Sequence, residues 1–199
     1  MSAPEDVSAP EREEEPPETP RSRSKRSTTR SILEWVAVVG GALLVALVIR
    51  AFFLAAFYIP SESMAPTLEK GDRVLVNKLS YKLHDVNRGD VVVFERPPNE
   101  PDNGIKALIK RVVGLPGETV EVRNCTVVID GRALEEPYVK EWSRTCTAPA
   151  VTVPSNEVFV MGDNRDDSQD SRFFGPISQD LIVGRAFVLV WPLTNLGWL

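Results

Sequence analysis

Residues 107–113 read Ala-Leu-Ile-Lys-Arg-Val-Val, an apolar run interrupted only by Lys110 and Arg111. If the run is a strand, alternation puts Lys110 on one face with Leu108 and Val112 and sends Arg111 to the other. Apolar surroundings disfavour the ammonium form, and a lysine with a lowered pKa can act as a general base near neutral pH. Upstream, residues 60–68 read Pro-Ser-Glu-Ser-Met-Ala-Pro-Thr-Leu, where Pro60 and Pro66 restrict the backbone around Ser61 and Ser63. The pair Ser63 and Lys110 is thus a candidate nucleophile and base.

The one histidine, His84, stands among Lys82, Asp85, Asn87 and Arg88, the composition of a solvated turn, so a Ser/His/Asp triad is not expected. A third polar run, Gly162 to Arg172, is rich in Asp and Arg. Read as a calcium loop from Asp163 it puts Arg165 at a ligand position, Ser168 at the glycine and Phe174 at the final glutamate, so that reading fails. A hydrogen-bonded network fits better, with Asp170 paired to an arginine and Ser168 bonded to a lysine amine. One histidine and two widely spaced cysteines form no zinc pattern, and neither a metal nor any other cofactor is expected.

The elements that must position these groups are short. Runs at 73–78, 91–94, 108–113, 119–123, 126–129, 158–161 and 186–191, most of them rich in Val, Ile or Phe, are bounded by Gly, Pro, Asn or Asp. The pattern predicts a mainly β fold, an antiparallel β domain without a long amphipathic helix, and Asp130-Gly131 marks a hairpin turn. Residues 124–154 are more polar and read as an inserted subdomain. They hold Cys125 and Cys146, the only two cysteines, for which an oxidising compartment makes a disulfide the expectation; closing the intervening loop contributes about 3 kcal/mol.

The chain has 199 residues and a net charge of −5, unevenly spread. Residues 1–20 are acidic and proline-rich and cannot bury a core, so they read as a disordered tail. Arg21, Arg23, Lys25, Arg26 and Arg30 follow, then an apolar stretch from Trp35 to Ile59 broken only by Arg50. The expected organisation is a cytoplasmic tail over 1–30, a transmembrane helix over 31–57 and an outer catalytic domain over 58–199. Within that stretch, 32–50 is the part that crosses the lipid bilayer, and 51–59 is an apolar segment at the outer surface. The basic cluster places the N-terminus in the cytoplasm. A cleaved signal peptide fits less well, because the apolar run is long and starts about thirty residues in.

In this order and behind a span, the motifs resemble those of bacterial type I signal peptidases. Residues 60–68 match the nucleophile box, 110–118 the lysine box, 162–172 the C-terminal box and 71–78 a fourth, structural box; Glu62 departs from the glycine common between the serines. The resemblance implies Ser63 as nucleophile and Lys110 as general base. It further implies Ser61 and the Ser63 amide as the oxyanion hole, Ser168 as the residue that orients Lys110, and Asp170 with Arg172 as a brace. The substrates it implies are exported preproteins with small residues at the first and third positions before the cut, and the location it implies is the plasma membrane. Lys110 argues against the histidine-using eukaryotic branch, and no nucleic-acid partner is expected. The alternatives are a regulatory Ser/Lys protease, which here lacks a helix-turn-helix, and a catalytically idle membrane-tethered binding module.

Overall fold

The structure, a computed structural model, describes residues 28–100, 104–139 and 147–199. The acidic tail, Arg21 to Arg26 and Cys146 lie outside the described residues; Cys125 is disulfide-bonded. Two compact units divide near Leu43 and Leu44. Helix α1 runs Thr28–Phe52, and its segment Arg30–Val48 is long and apolar enough to cross a membrane.

The second unit is built from twelve described strands: β1 (Leu54–Tyr58), β2 (Arg73–Asn77), β3 (Val91–Glu95), β4 (Ala107–Gly114), β5 (Thr119–Arg123), β6 (Thr126–Ile129), β7 (Arg132–Ala133), β8 (Ala148–Thr152), β9 (Glu157–Met161), β10 (Ile177–Ser178), β11 (Ile182–Trp191) and β12 (Gly197–Trp198). After α1, the only helices of the α type among the described residues, α2 (Ser80–Leu83) and α3 (Ser171–Phe174), are single turns. Eight strands form one antiparallel sheet in the order β1-β2-β11-β3-β4-β9-β10, with β12 on β11. A second sheet has the order β7-β6-β5-β8.

Valine-rich strands suit this pleated, half-buried setting, where β-branched side chains pack against cross-strand neighbours. In β2, Val74 and Val76 alternate inward to a core with Ile59, Met64, Leu68, Val91 and Val93. On the other face of β3 and β4, Val92, Phe94 and Val112 pack with Val158, Val160 and Phe174. The Asp130-Gly131 turn has positive φ at both residues, 48° and 80°, and Ile129 pairs with Arg132, so the expected hairpin forms.

Three boundaries differ from expectation. The helix ends at Phe52 rather than 57, because residues 54–58 find a better use for their backbone groups by pairing along all of β2. For the same reason the apolar segment expected over 51–59 is mostly an edge strand. The inserted subdomain begins at Thr119 rather than 124, since β5 belongs to the smaller sheet with β6 and β8.

Candidate functional site

Two apolar plugs hold the serine segment. Met64 and Leu68 are fully buried in the core beneath it, and backbone bonds from Ala65 N to Glu62 O and from Leu68 N to Met64 O tighten the turn. The chain enters from β1 and leaves through Gly71, whose N–H donates to Ile59 O. Ser63 is therefore carried on a turn anchored from below, with 7% of its surface exposed.

Lys110 lies in β4 opposite Val92 of β3. It shares the β4 face with Leu108 and Val112, while Arg111 points to the other face, as alternation requires. Its Nζ donates to Ser63 Oγ at 2.7 Å, across 47 residues of sequence. Only 3% of Lys110 is exposed. Burial pushes its pKa down to about 8, against the upward pull of the Asp170, Glu100 and Asp163 carboxylates; Arg172 adds a smaller downward push. Ser61 Oγ donates to Ser63 Oγ at 3.3 Å, so the two serine hydroxyls and the lysine amine meet in one place.

The polar run expected to form a network does so. Asp170, fully buried, caps α3 and receives Arg172 Nε and Nη2 at 2.8 Å each and Gly162 N at 3.0 Å. Arg172 also donates to the Arg165 carbonyl. Gly162 has no room for a side chain: a Cβ there would lie 2.3 Å from Ser168 Oγ and 2.4 Å from the Ser63 carbonyl. Ser168 is buried beside Gly162, but its hydroxyl has no hydrogen-bond partner, so the expected bond to Lys110 is not made in this geometry. His84 is exposed, bonded to the Asp85 carbonyl and edge-on to Tyr81.

Several supporting residues were not singled out by sequence. Arg111 holds Asp163 through Nε and Nη2 at 2.9 and 2.6 Å, and Asp163 in turn accepts the Thr67 hydroxyl at 2.6 Å, which ties the serine turn to the C-terminal loop. Asn164 extends that tie by donating to the Ser63 and Glu62 carbonyls. Arg165 is clamped by Glu136, in the segment that follows β7. The alternation that sends Arg111 away from Lys110 was the one available signal; a carboxylate partner for it was not identifiable.

A cavity of about 40 Å³ opens beside the two serines and Lys110, walled by Phe57, Ile59, Val93, Ala107 and Ile109. Its lining joins apolar walls to the two serines and the lysine.

A family model described as signal peptidase, peptidase S26, matches residues 32–191. A signal peptidase I of Leptolyngbya laminosa is 41% identical over 91% of this chain and 92% of its own length. A probable signal peptidase I-1 of a Synechocystis strain is 44% identical over 84% of this chain and 87% of its own. A signal peptidase IB of Staphylococcus aureus is 33% identical over 83% and 93% respectively.

Proposed function

The chain belongs to the signal peptidase family, peptidase S26, and from that premise we propose that it is a membrane-tethered endopeptidase that removes N-terminal signal peptides from exported preproteins with Ser63 and Lys110. The observation that carries the assignment of the pair is the 2.7 Å approach of a buried lysine amine to a serine hydroxyl. In its neutral form Lys110 Nζ accepts the Ser63 proton as Oγ bonds to the scissile carbonyl carbon. The carbonyl electrons move onto oxygen, where the Ser63 N–H and the Ser61 hydroxyl stabilise a charge that is absent from the ground state; losing one such donor typically costs about 3 to 4 kcal/mol.

When the tetrahedral intermediate collapses, the C–N bond breaks and the ammonium proton of Lys110 goes to the leaving amine. Water then attacks the acyl-enzyme with Lys110 again as base. We assign to Ser168 the orientation of the amine once the Lys110 to Ser63 bond is broken, a role supported by its buried hydroxyl being unsatisfied in the resting geometry. Asp170 and Arg172 hold the loop that carries it.

Small residues at the first and third positions before the cut suit the cavity beside Ser63, because an extended peptide sends alternate side chains to one face. Helix α1 tethers the domain to the plasma membrane with the N-terminus in the cytoplasm, raising the effective concentration of substrates that are themselves held in the bilayer. The test is incubation of the detergent-solubilised protein with a preprotein bearing an Ala-X-Ala site, followed by sequencing of the mature N-terminus. Cleavage after the second alanine, lost in Ser63→Ala and in Lys110→Ala, is the expected result. Cleavage by Lys110→Ala near the wild-type rate overturns the pair.

A further inference from the structure

The smaller sheet sends a short segment, residues 134–139, back toward the catalytic loops. It leaves β7 with the Leu134 N–H bonded to the Val127 carbonyl, so its root is fixed to β6. Two of its polar side chains, Glu136 and Tyr138, then engage the two arginines that hold the catalytic loops. Glu136 takes Arg165 in a two-pronged ion pair, Nη1 at 2.8 Å and Nη2 at 2.5 Å, with the Arg165 side chain 1% and the Glu136 side chain 9% exposed. Tyr138 lays its ring under Arg111, 4.1 Å from the guanidinium carbon to the ring centre, and donates its hydroxyl to Glu136 at 2.9 Å. Burial and then the Glu136 carboxylate push the Tyr138 pKa up, which keeps the hydroxyl a donor.

Both arginines act on the contacts that hold the serine turn. Arg165 Nε donates to the Gly162 carbonyl at 2.8 Å, and Gly162 is packed against the Ser63 carbonyl. Arg111 fixes Asp163, which accepts the Thr67 hydroxyl from the serine turn. A guanidinium fork held by a carboxylate and one held over an aromatic face each lose freedom to pivot. The rigid arginines in turn fix the two loops on which the Ser63 to Lys110 distance depends.

Resting on the Ser63 and Lys110 reading above, we propose that Glu136 and Tyr138 are positioning residues of the reaction: through Arg165 and Arg111 they hold Gly162 and Asp163 against the serine turn and so set the attack geometry. Neither touches the reacting atoms. They act on the turnover of bound substrate and not on its capture, since the cavity beside Ser63 is lined by other residues.

The experiment measures kcat and KM on a signal-peptide substrate, with thermal melts, for Glu136→Gln, Tyr138→Phe, Tyr138→Leu and the double variant Glu136→Gln with Arg165→Gln. The double variant matters because removing one partner of a buried pair leaves the other charge uncompensated, whereas removing both does not. Expected are a kcat about tenfold or more below wild type for Glu136→Gln with KM within about twofold, and a similar kcat for the double variant even where its melting temperature recovers. Tyr138→Phe, which keeps the ring under Arg111, retains more kcat than Tyr138→Leu. Wild-type kcat in Glu136→Gln, a kcat that returns with stability in the double variant, or equal losses in the two Tyr138 variants overturns the proposal. Ser63→Ala run alongside separates the two readings: if it still cleaves, the Ser/Lys reading fails, and if it is dead while Glu136→Gln is unimpaired, only the positioning role fails.

Discussion

At the scale of single residues, Lys110 has two opposing effects. Its burial lowers the pKa to about 8, which makes the neutral amine available near physiological pH, and the same burial opposes folding whenever the amine is charged. The folded-state pKa lies below the unfolded one, so the unfolded chain binds more protons between about pH 8 and pH 10.5, and stability rises with pH across that window. Below it the penalty is present in full, on the order of 3 kcal/mol from a shift of this size. Lys110→Met should therefore abolish cleavage yet match or raise the melting temperature, with the largest gain at pH 7 and below and none above pH 11. Wild-type activity should climb with pH through about 8. A variant less stable at every pH would identify Lys110 as a charged structural partner. The juxtaposition of Ser63 and Lys110 was legible in the sequence because a lysine on the apolar face of a short run is a local signal. Of the supporting carboxylates only Asp170 was legible: Asp163 meets Arg111 across 52 residues, and Glu136, which clamps Arg165, sits in the segment with least pattern.

Among the elements, the loop from Gly162 to Asp170 decides how closely the C-terminal box approaches the serine turn. Gly162→Ala would put a methyl 2.4 Å from the Ser63 carbonyl, a backbone atom that cannot rotate away. Relief requires the two loops to part by the better part of an ångström. The expected outcome is a loss of about a hundredfold in kcat and a destabilisation of about 1 to 3 kcal/mol, read by steady-state kinetics and a denaturant titration. Full activity in that variant would mean that the close approach of the two loops does not govern catalysis. Most of the strands were readable, because β-branched runs bounded by Gly, Asp and Asn mark β2 to β6, β9 and β11 by composition alone. Strand β1 was hidden in the apolar stretch after the helix: Leu-Ala-Ala-Phe-Tyr has no alternation, and only its pairing with β2 makes it a strand. Strand β8, Ala-Pro-Ala-Val-Thr, was hidden by its proline, which its place at the edge of the smaller sheet tolerates.

For the molecule as a whole, the proposed topology makes a compartment-level prediction. Protease added to intact spheroplasts should degrade residues 58–199 and spare an epitope placed in the acidic tail; loss of the tail epitope alone would invert the arrangement. The sheet order carries a consequence in time as well as in space. Strands β1 and β2, which flank the serine turn, and β3 and β4, which carry the lysine, are not neighbours: β11 lies between them, and it is the last long strand to be synthesised. On the Ser63 and Lys110 reading, the two halves of the pair are made early, and the strand order predicts that they are joined late, when Ile182–Trp191 inserts between them. On the proposed function, such late assembly would keep an unfinished copy from acting on extended chains that leave the membrane. Chains stalled before residue 182 should accordingly fail to react with an acylating serine probe, and labelling of such chains would show that the pair assembles without its central strand.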